Sequence, residues 1–341
     1  LLATEFLSAI GVATSQTLSI IETEEKLQRN DEPSPTRSAV LVRRSNSHIR
    51  IGTFQRLAYL NQQDNLEILL DYLRDNYFSY INKNSSSEIF VETVFLECVK
   101  KIATSMGKII ISGFVHGVLN TDNFNVTGEV FDFGPWRFIQ YANQNFTAAY
   151  FDYNGRYSFG RQPEAALWAL TQLGKSLNKL INEKRIIDIL NEFSTNFHLS
   201  LKNHFCWRIG IKDIDSKSLN EIMNILLNES EKCKIEYASF FYDFFGGSEA
   251  VIDCLKTNYG NKYKVDGFSR ITDILKNTQS SEGMFEKRII LDKNRENMLI
   301  EEVEEIWKQI DQENNWHFLE QKISKVRNIG SLLEAQKLVN F

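Results

Sequence analysis

A chain of 341 residues, 43% hydrophobic and 24% charged, is long enough for two domains or one large two-lobed body and carries ample apolar sequence for a core. Its formal net charge of −5 argues against a general nucleic-acid surface, and no apolar run reaches the ~20 residues that cross a bilayer, so neither nucleic acid nor membrane is an expected partner. Cys98, Cys206, Cys233 and Cys254 show no C-x-x-C spacing and read as buried thiols, and His204, two residues before Cys206, reads as a packed histidine. The start lacks the basic flank of a signal peptide, so a soluble intracellular protein is expected.

The chain opens on a helical face made by Leu2, Phe6, Leu7 and Ile10, ended by Gly11. No capping residue precedes it and the first residue is not Met, so the sequence reads as a piece that continues upstream. Residues 13–23 and 38–44 are β-type runs separated by a polar loop with Pro33 and Pro35. Arg43, Arg44 and Arg50 then crowd one short segment, residues 42–54, next to a polar, glycine-containing turn, where guanidinium forks could grip phosphate oxygens; the plainer alternative is a solvated basic edge.

Asp64-Asn65-Leu66-Glu67 has the form of a capping box, followed by Leu66, Leu69, Leu70, Leu73 and Tyr77 on one face. Ser85-Ser86-Ser87-Glu88 opens a second helix in the same way, with Phe90, Val94, Cys98 and Ile102 as its core stripe. That helix leads into residues 113–135, GFVHGVLNTDNFNVTGEVFDFGP. Protein kinases use the Asn of H-R-D-L-x-x-x-N and the Asp of D-F-G to hold Mg²⁺ on nucleotide phosphates. Here the Asn falls on Asn123 and the second motif is Asp132-Phe133-Gly134, joined by two short runs about Thr127-Gly128 that read as a hairpin. The position of the kinase base carries Val118, which cannot accept a proton, and the nearest carboxylate is Asp122. The ordinary alternative is that Asp122, Asn123 and Asp132 are turn formers.

Beyond the hairpin, Pro163 suits a first helical turn and Ala166, Leu170, Leu173, Leu177 and Leu180 continue a face; the segment between is where an acceptor would dock. Leu219, Ile222, Met223, Leu226 and Leu227 mark another amphipathic helix, 237–245 is an aromatic core run, and 277–283 is a polar break. Glu301, Glu302, Glu304 and Glu305 beside Ile300, Val303, Ile306 and Ile310 give a helix with a solvated acidic face.

Three blocks, residues 116–123 with Asp132-Phe133-Gly134-Pro135, residues 47–54, and Gly155-Arg156-Tyr157-Ser158-Phe159 with Gln162-Pro163 and Ala166-Leu167-Trp168, together resemble the selenoprotein O family, protein-kinase-like pseudokinases that act as protein adenylyltransferases. The resemblance spans Leu1 to the mid-240s and weakens after that. It implies ATP bound in the inverted sense relative to kinases, with Mg²⁺ or Mn²⁺, and transfer of AMP to Ser, Thr or Tyr hydroxyls of protein substrates. It implies Asp122 as base, Asn123 and Asp132 as metal ligands with Asp132 also beside the nucleotide, Arg43 and Arg50 as phosphate contacts, and Glu5 as the helix glutamate that pairs with a nucleotide-binding lysine. Phe133 stands where many members have Tyr, and the family's glycine-rich loop, that lysine and an Asp-Gly pair would all lie upstream of Leu1, so the isolated chain is expected to be inactive and to bare an apolar patch on its opening helix. The C-terminal Cys or selenocysteine of some members is absent.

The fold class this implies is α+β and mostly helical, a kinase-like fold with a truncated small lobe. Residues 1–60 would be the remainder of that lobe, 61–276 the helical lobe with the catalytic loop and metal hairpin, and 284–341 a C-terminal helical extension. Phosphoryl transfer on the same fold, or a scaffold without catalysis, are the rival readings. A bacterial cytoplasm, or a mitochondrion in a eukaryote, is the expected location.

Overall fold

In the computed structural model, residues 1–28, 34–81 and 86–334 are described; Pro33, Ser85 and residues 335–341 of the C-terminal extension lie outside them. Helix α1 (Leu2–Ala9) is followed by strands β1 (Gln16–Leu27) and β2 (Thr36–Arg44), which pair antiparallel from Gln16 opposite Arg44 to Leu27 opposite Thr36. Helix α2 (Ile51–Tyr59) occupies a stretch whose glycine and polar flank suggested a turn. Its second residue, Gly52, is tolerated there for a reason that belongs to the site described below. Helix α3 (Gln63–Asn76) starts one residue before the expected box and has no side-chain cap, so Asp64 sits in the first turn as a favourable charge at the helix N-terminus and not as its cap.

Helix α4 (Ser87–Ser112) begins as the sequence suggests, Ser86 Oγ accepting from the Ile89 amide, and ends on Gly113 in the left-handed conformation. Two short strands, β3 (Phe114–Val115) and β4 (Arg137–Phe138), then close the base of the loop, Phe114 opposite Phe138 and Val115 opposite Arg137. The remainder is helical: α5 (Gln162–Ser176), α6 (Glu183–Ile209), α7 (Ser216–Glu229), α8 (Tyr237–Asp243), α9 (Ser248–Lys256), α10 (Asp266–Lys276), α11 (Met284–Asp292), α12 (Ile300–Glu313) and α13 (His317–Leu332). The molecule is thus α+β and mostly helical, and none of its described helices is long and apolar enough to cross a membrane.

Helices α4 and α6 run in parallel, with Glu92 against Arg185 near one end and Gly107 against Leu201 near the other. Two apolar cores share them. The larger joins α1 to α5, the first half of α6, and residues Ile306, Ile310 and Val326 of α12 and α13; the second gathers the end of α4 with the second half of α6 and helices α7 to α10. The last helices therefore return to the first. Leu2, Phe6 and Ile10 of α1 are all buried, and Gly330 of α13 lets the two helices close to the point where a Cβ would stand 3.0 Å from the Ala9 Cα. This corrects the expectation of a bare opening helix. The apolar exposure lies instead on the β1–β2 hairpin, where Leu18, Ile21 and Val40 are more than half exposed.

Candidate active site

The loop after α4 is held by a buried histidine. His116 Nε2 donates to the Phe131 carbonyl at 2.8 Å, and its Nδ1 accepts from the Val118 amide at 3.3 Å, so one neutral ring bridges the loop to the residue before Asp132. Gln162, also buried, accepts from the His116 amide and donates to the Phe114 carbonyl, which anchors the same loop to the start of α5. Phe133 packs edge-on against both Phe114 and His116; Phe114 in turn meets Phe138, and Phe138 meets Phe6 of α1. The D-F-G segment is thereby wired into the core by its phenylalanine, leaving its aspartate outside.

Burial pushes the His116 pKa down to about 4. The unfolded chain binds a proton at this ring near pH 6.5 and the folded chain does not until about pH 4, so the stabilisation is whole above pH 6.5 and is lost as the pH falls across that window. Its size is ~3 kcal/mol. Urea unfolding at pH 7 and pH 5 should show a drop in stability that is about 2 kcal/mol smaller in His116→Gln than in the parent; equal drops would mean that the ring is not buried neutral.

Asn120 caps a single 3₁₀ turn, Thr121 to Asn123, by accepting from the Asp122 amide at 2.9 Å. Asn123 is buried and its Nδ2 donates to the Val118 carbonyl at 2.8 Å, which turns the amide oxygen into the group available to a cation. Residues 124–131 fold back as expected, but with one bridge in place of two strands: Phe124 faces Val130, the Asn125 amide donates to the Glu129 carbonyl, and Ser105 of α4 holds the Gly128 carbonyl. The outer edge of the turn is spent elsewhere. Residues 49–51 pair along 124–126, with Arg50 opposite Asn125, and this seats the arginine segment on the hairpin.

Asp122 and Asn123 lie on the 3₁₀ turn that leads into Phe124, and Asp132 comes two residues after Val130, so the Phe124–Val130 bridge joins the two segments that carry them. Asp132 is exposed and takes a left-handed backbone, φ 64°, which Asp tolerates better than most side chains. Asp122 is exposed as well, and neither carboxylate enters an ion pair among the described residues. Arg43 and Arg50 lie over the ring of Phe131 with their guanidinium carbons 5.8 and 4.7 Å from its centroid, whereas Arg44 is exposed. Arg43 and Arg50 are thus drawn to the ring of the residue before Asp132, while the Asp122 carboxylate lies against Gly52 at the start of α2. No three His, Cys, Asp or Glu side chains gather as a cage among the described residues. The Asn123 amide oxygen and the Asp132 carboxylate, on segments joined by the Phe124–Val130 bridge, are oxygen donors of the kind Mg²⁺ takes, a hard ion that keeps several positions for phosphate oxygens and water.

Two contributors carry no motif. A Cβ on Gly52 would overlap the Asp122 carboxylate, standing 3.0 Å from its Cγ, so only glycine lets that carboxylate rest over the first turn of α2. That turn has no side-chain cap of its own, and its N-terminal partial charge favours an anion. Glu129 is almost fully buried, accepting from the Asn46 amide at 3.2 Å and from the Thr127 hydroxyl, and so ties the arginine segment to the hairpin. The sequence signals were a glycine in a polar stretch and a glutamate opening the apolar run Glu129-Val130-Phe131.

Glu5 is not drawn in with the others as a partnerless carboxylate. It receives both Nε and Nη2 of Arg327 from α13, at 2.9 and 2.5 Å. Arg327 is largely exposed, so the pair contributes at most ~1 kcal/mol.

The family described as "Protein adenylyltransferase SelO" matches residues 1–327, well past the mid-240s where the resemblance was expected to weaken. Proteins called "Protein nucleotidyltransferase YdiU" are similar to this chain: 38% identical over 242 residues in Trichormus variabilis, covering 71% of this chain and 49% of that protein, and 34% over 326 residues in Trichodesmium erythraeum, covering 92% and 69%. The one from Vibrio cholerae is 30% identical over 259 residues, covering 74% of this chain and 51% of its own length. The chain spans about half the length of most of these relatives. With the match running through nearly all the described residues, this protein belongs to the protein adenylyltransferase SelO family.

Proposed function

We propose that this chain forms the catalytic part of a protein adenylyltransferase on a kinase-like fold, moving AMP from ATP to Ser, Thr or Tyr hydroxyls of protein substrates. The observation that supports the reading is the Phe124–Val130 bridge, which joins the turn bearing Asp122 and Asn123 to the segment that runs on to Asp132, with Arg50 paired alongside at Asn125. Residues 1–60 serve as the small lobe, residues 61–276 as the helical lobe, and 284–341 as an extension whose helix α13 packs back on α1. Asn123 Oδ1 and Asp132 would hold Mg²⁺, which when bound neutralises charge on the phosphate oxygens. Arg43 and Arg50, unspent on carboxylates among the described residues, orient the phosphates through guanidinium forks. Asp122 takes the proton of the acceptor hydroxyl; that oxygen bonds to the α-phosphorus, the bond to the bridging oxygen of the β-phosphate breaks, and pyrophosphate leaves. Val118 cannot take this proton, which makes the neighbouring carboxylate the base.

The test uses full-length protein with ATP labelled at the α or the γ phosphate. Label on acceptor proteins from the α position only is the expected result. Label from the γ position only would replace this reading with phosphoryl transfer, and label from neither would make the chain a scaffold. The arginines give a second test. A lysine cannot reproduce a bidentate fork, so Arg50→Lys should weaken ATP binding by on the order of tenfold, whereas Arg44→Lys should leave it unchanged. Equal effects at both positions in a calorimetric titration would return the segment to a solvated basic edge.

A further inference from the structure

The motif Gly155-Arg156-Tyr157-Ser158-Phe159 and the later Trp168 take no part in the hairpin site, and the fold gives them a place beside it. Residues 146–159 form a loop whose two ends are tied together: the Phe159 amide donates to the Phe146 carbonyl and the Gly160 amide to the Gln144 carbonyl, each at 2.9 Å. Asp152 sets the inside of the loop, its two carboxylate oxygens accepting from the Arg156 and Tyr157 amides at 2.8 Å. Phe159 is buried in the second core and Tyr157 packs on the first, so one limb is fixed from both sides. The other limb rests on the loop that carries Asp122. A Cβ on Gly117 would stand 2.7 Å from the Pro135 Cγ and 3.3 Å from the buried Ala148 Cβ, and the chain leaves that contact directly into Tyr150-Phe151-Asp152-Tyr153.

A loop held this firmly can hide its apolar side chains, and this one does the reverse. Tyr153 is 88% exposed, Phe151 48% and Trp168 of α5 46%. The Phe151 ring meets that of Tyr150 edge-on, centroids 5.3 Å apart. Arg156 is exposed, holds its guanidinium carbon 5.8 Å from the Trp168 centroid and pairs with no carboxylate among the described residues. The acidic residues of the loop and of the adjoining turn of α5 are spent, Asp152 on the two amides and Glu164 on Arg161. Aromatic rings and arginine are enriched where proteins meet, because they bring large contact area, and the rings have few rotamers to freeze. The surface therefore offers apolar rings around one guanidinium that has no carboxylate.

We propose that this surface docks the acceptor protein, taking an apolar or aromatic side chain of the acceptor against Phe151 and Tyr153 and a carboxylate on Arg156. The occupant follows from two observations. The loop stands on Gly117, so a segment bound to it lies beside the loop from which Asp122 acts, and the guanidinium over Trp168 is complementary to an acidic side chain. The acceptor thus presents its hydroxyl residue within a short segment that carries an acidic and an apolar residue. The inference rests on the adenylyl-transfer reading for the fate of that hydroxyl, whereas recognition of the segment does not require transfer. Phe151, Tyr153, Arg156 and Trp168 touch neither phosphate nor metal in that reading and are positioning residues.

The experiment uses full-length protein and short synthetic peptides with one central serine, threonine or tyrosine, differing only in whether Phe or Ala and Glu or Lys stand near it. Binding is read by fluorescence anisotropy, and transfer from α-labelled ATP is followed in parallel. The peptide bearing both Phe and Glu is expected to bind on the order of tenfold more tightly than the one bearing Ala and Lys, with transfer in the same order. Tyr153→Ser should erase the preference for Phe and Arg156→Gln that for Glu, both with unchanged melting temperature and ATP affinity. Preferential binding without any transfer would keep the docking surface and remove adenylyl transfer. Lack of binding by any peptide, transfer without preference among them, preferences that survive both substitutions, or a dimer of this chain that Tyr153→Ser dissolves would overturn the proposal.

Discussion

Asp132→Asn should lower AMP transfer by on the order of 10³-fold in a protein that folds as the parent does. Asp132 is exposed and makes no ion pair among the described residues, so nothing in the core is lost with its charge. Its left-handed backbone makes Asn the better replacement, because Asn tolerates that conformation while Ala there costs ~1–2 kcal/mol. Asp132→Ala should therefore lose the same activity and show a small drop in melting temperature as well. The measurement is kcat with full-length protein and unfolding followed by circular dichroism. Near-normal kcat in folded Asp132→Asn would remove the metal site from this turn.

Asp122→Ala is expected to cost 10²–10⁴-fold in kcat with little change in ATP affinity, since a base acts in the chemical step. Gly52→Ala sharpens the point. In an ordinary helix alanine is favoured over glycine by ~1 kcal/mol, and Gly52 lies inside α2, so thermal stability should hold or rise. The new Cβ nevertheless claims the space of the Asp122 carboxylate, which must swing away. A stable protein with kcat reduced tenfold or more is the expected outcome, by analogy with the cost of misplacing a reacting group. Full activity in Gly52→Ala would mean that Asp122 works from another position.

What could be read from the sequence was short in range. The stripe of α4, its serine start, and the fold-back of residues 124–131 about Thr127-Gly128 all follow from residues within a few turns or a single hairpin of each other. What could not be read depends on distant partners. Glu5 and Arg327 are 322 positions apart, and no local pattern announces that α13 covers α1. Helix α2 hides because Gly52 beside a polar run has the local chemistry of a turn, and the contact that calls for glycine there is with a carboxylate seventy residues away. Glu129 has the composition of a solvated charge and is buried because the Asn46 amide and Thr127 hydroxyl satisfy it. Helix α6 gives a weak signal for a similar reason, its buried face passing from the first core to the second along its length.

The central claim is that Asn123 and Asp132 share one divalent ion that presents the α-phosphate to Asp122. A crystal of the full-length protein grown with Mn²⁺ and a non-hydrolysable ATP analogue tests it most directly, since anomalous scattering locates the metal without reference to the protein chain. The account predicts Mn²⁺ within about 2.3 Å of both Asn123 Oδ1 and an Asp132 carboxylate oxygen, with the α-phosphate nearest Asp122 and the Arg43 and Arg50 guanidiniums on phosphate oxygens. Manganese bound away from this pair, or the γ-phosphate turned toward Asp122, would contradict it.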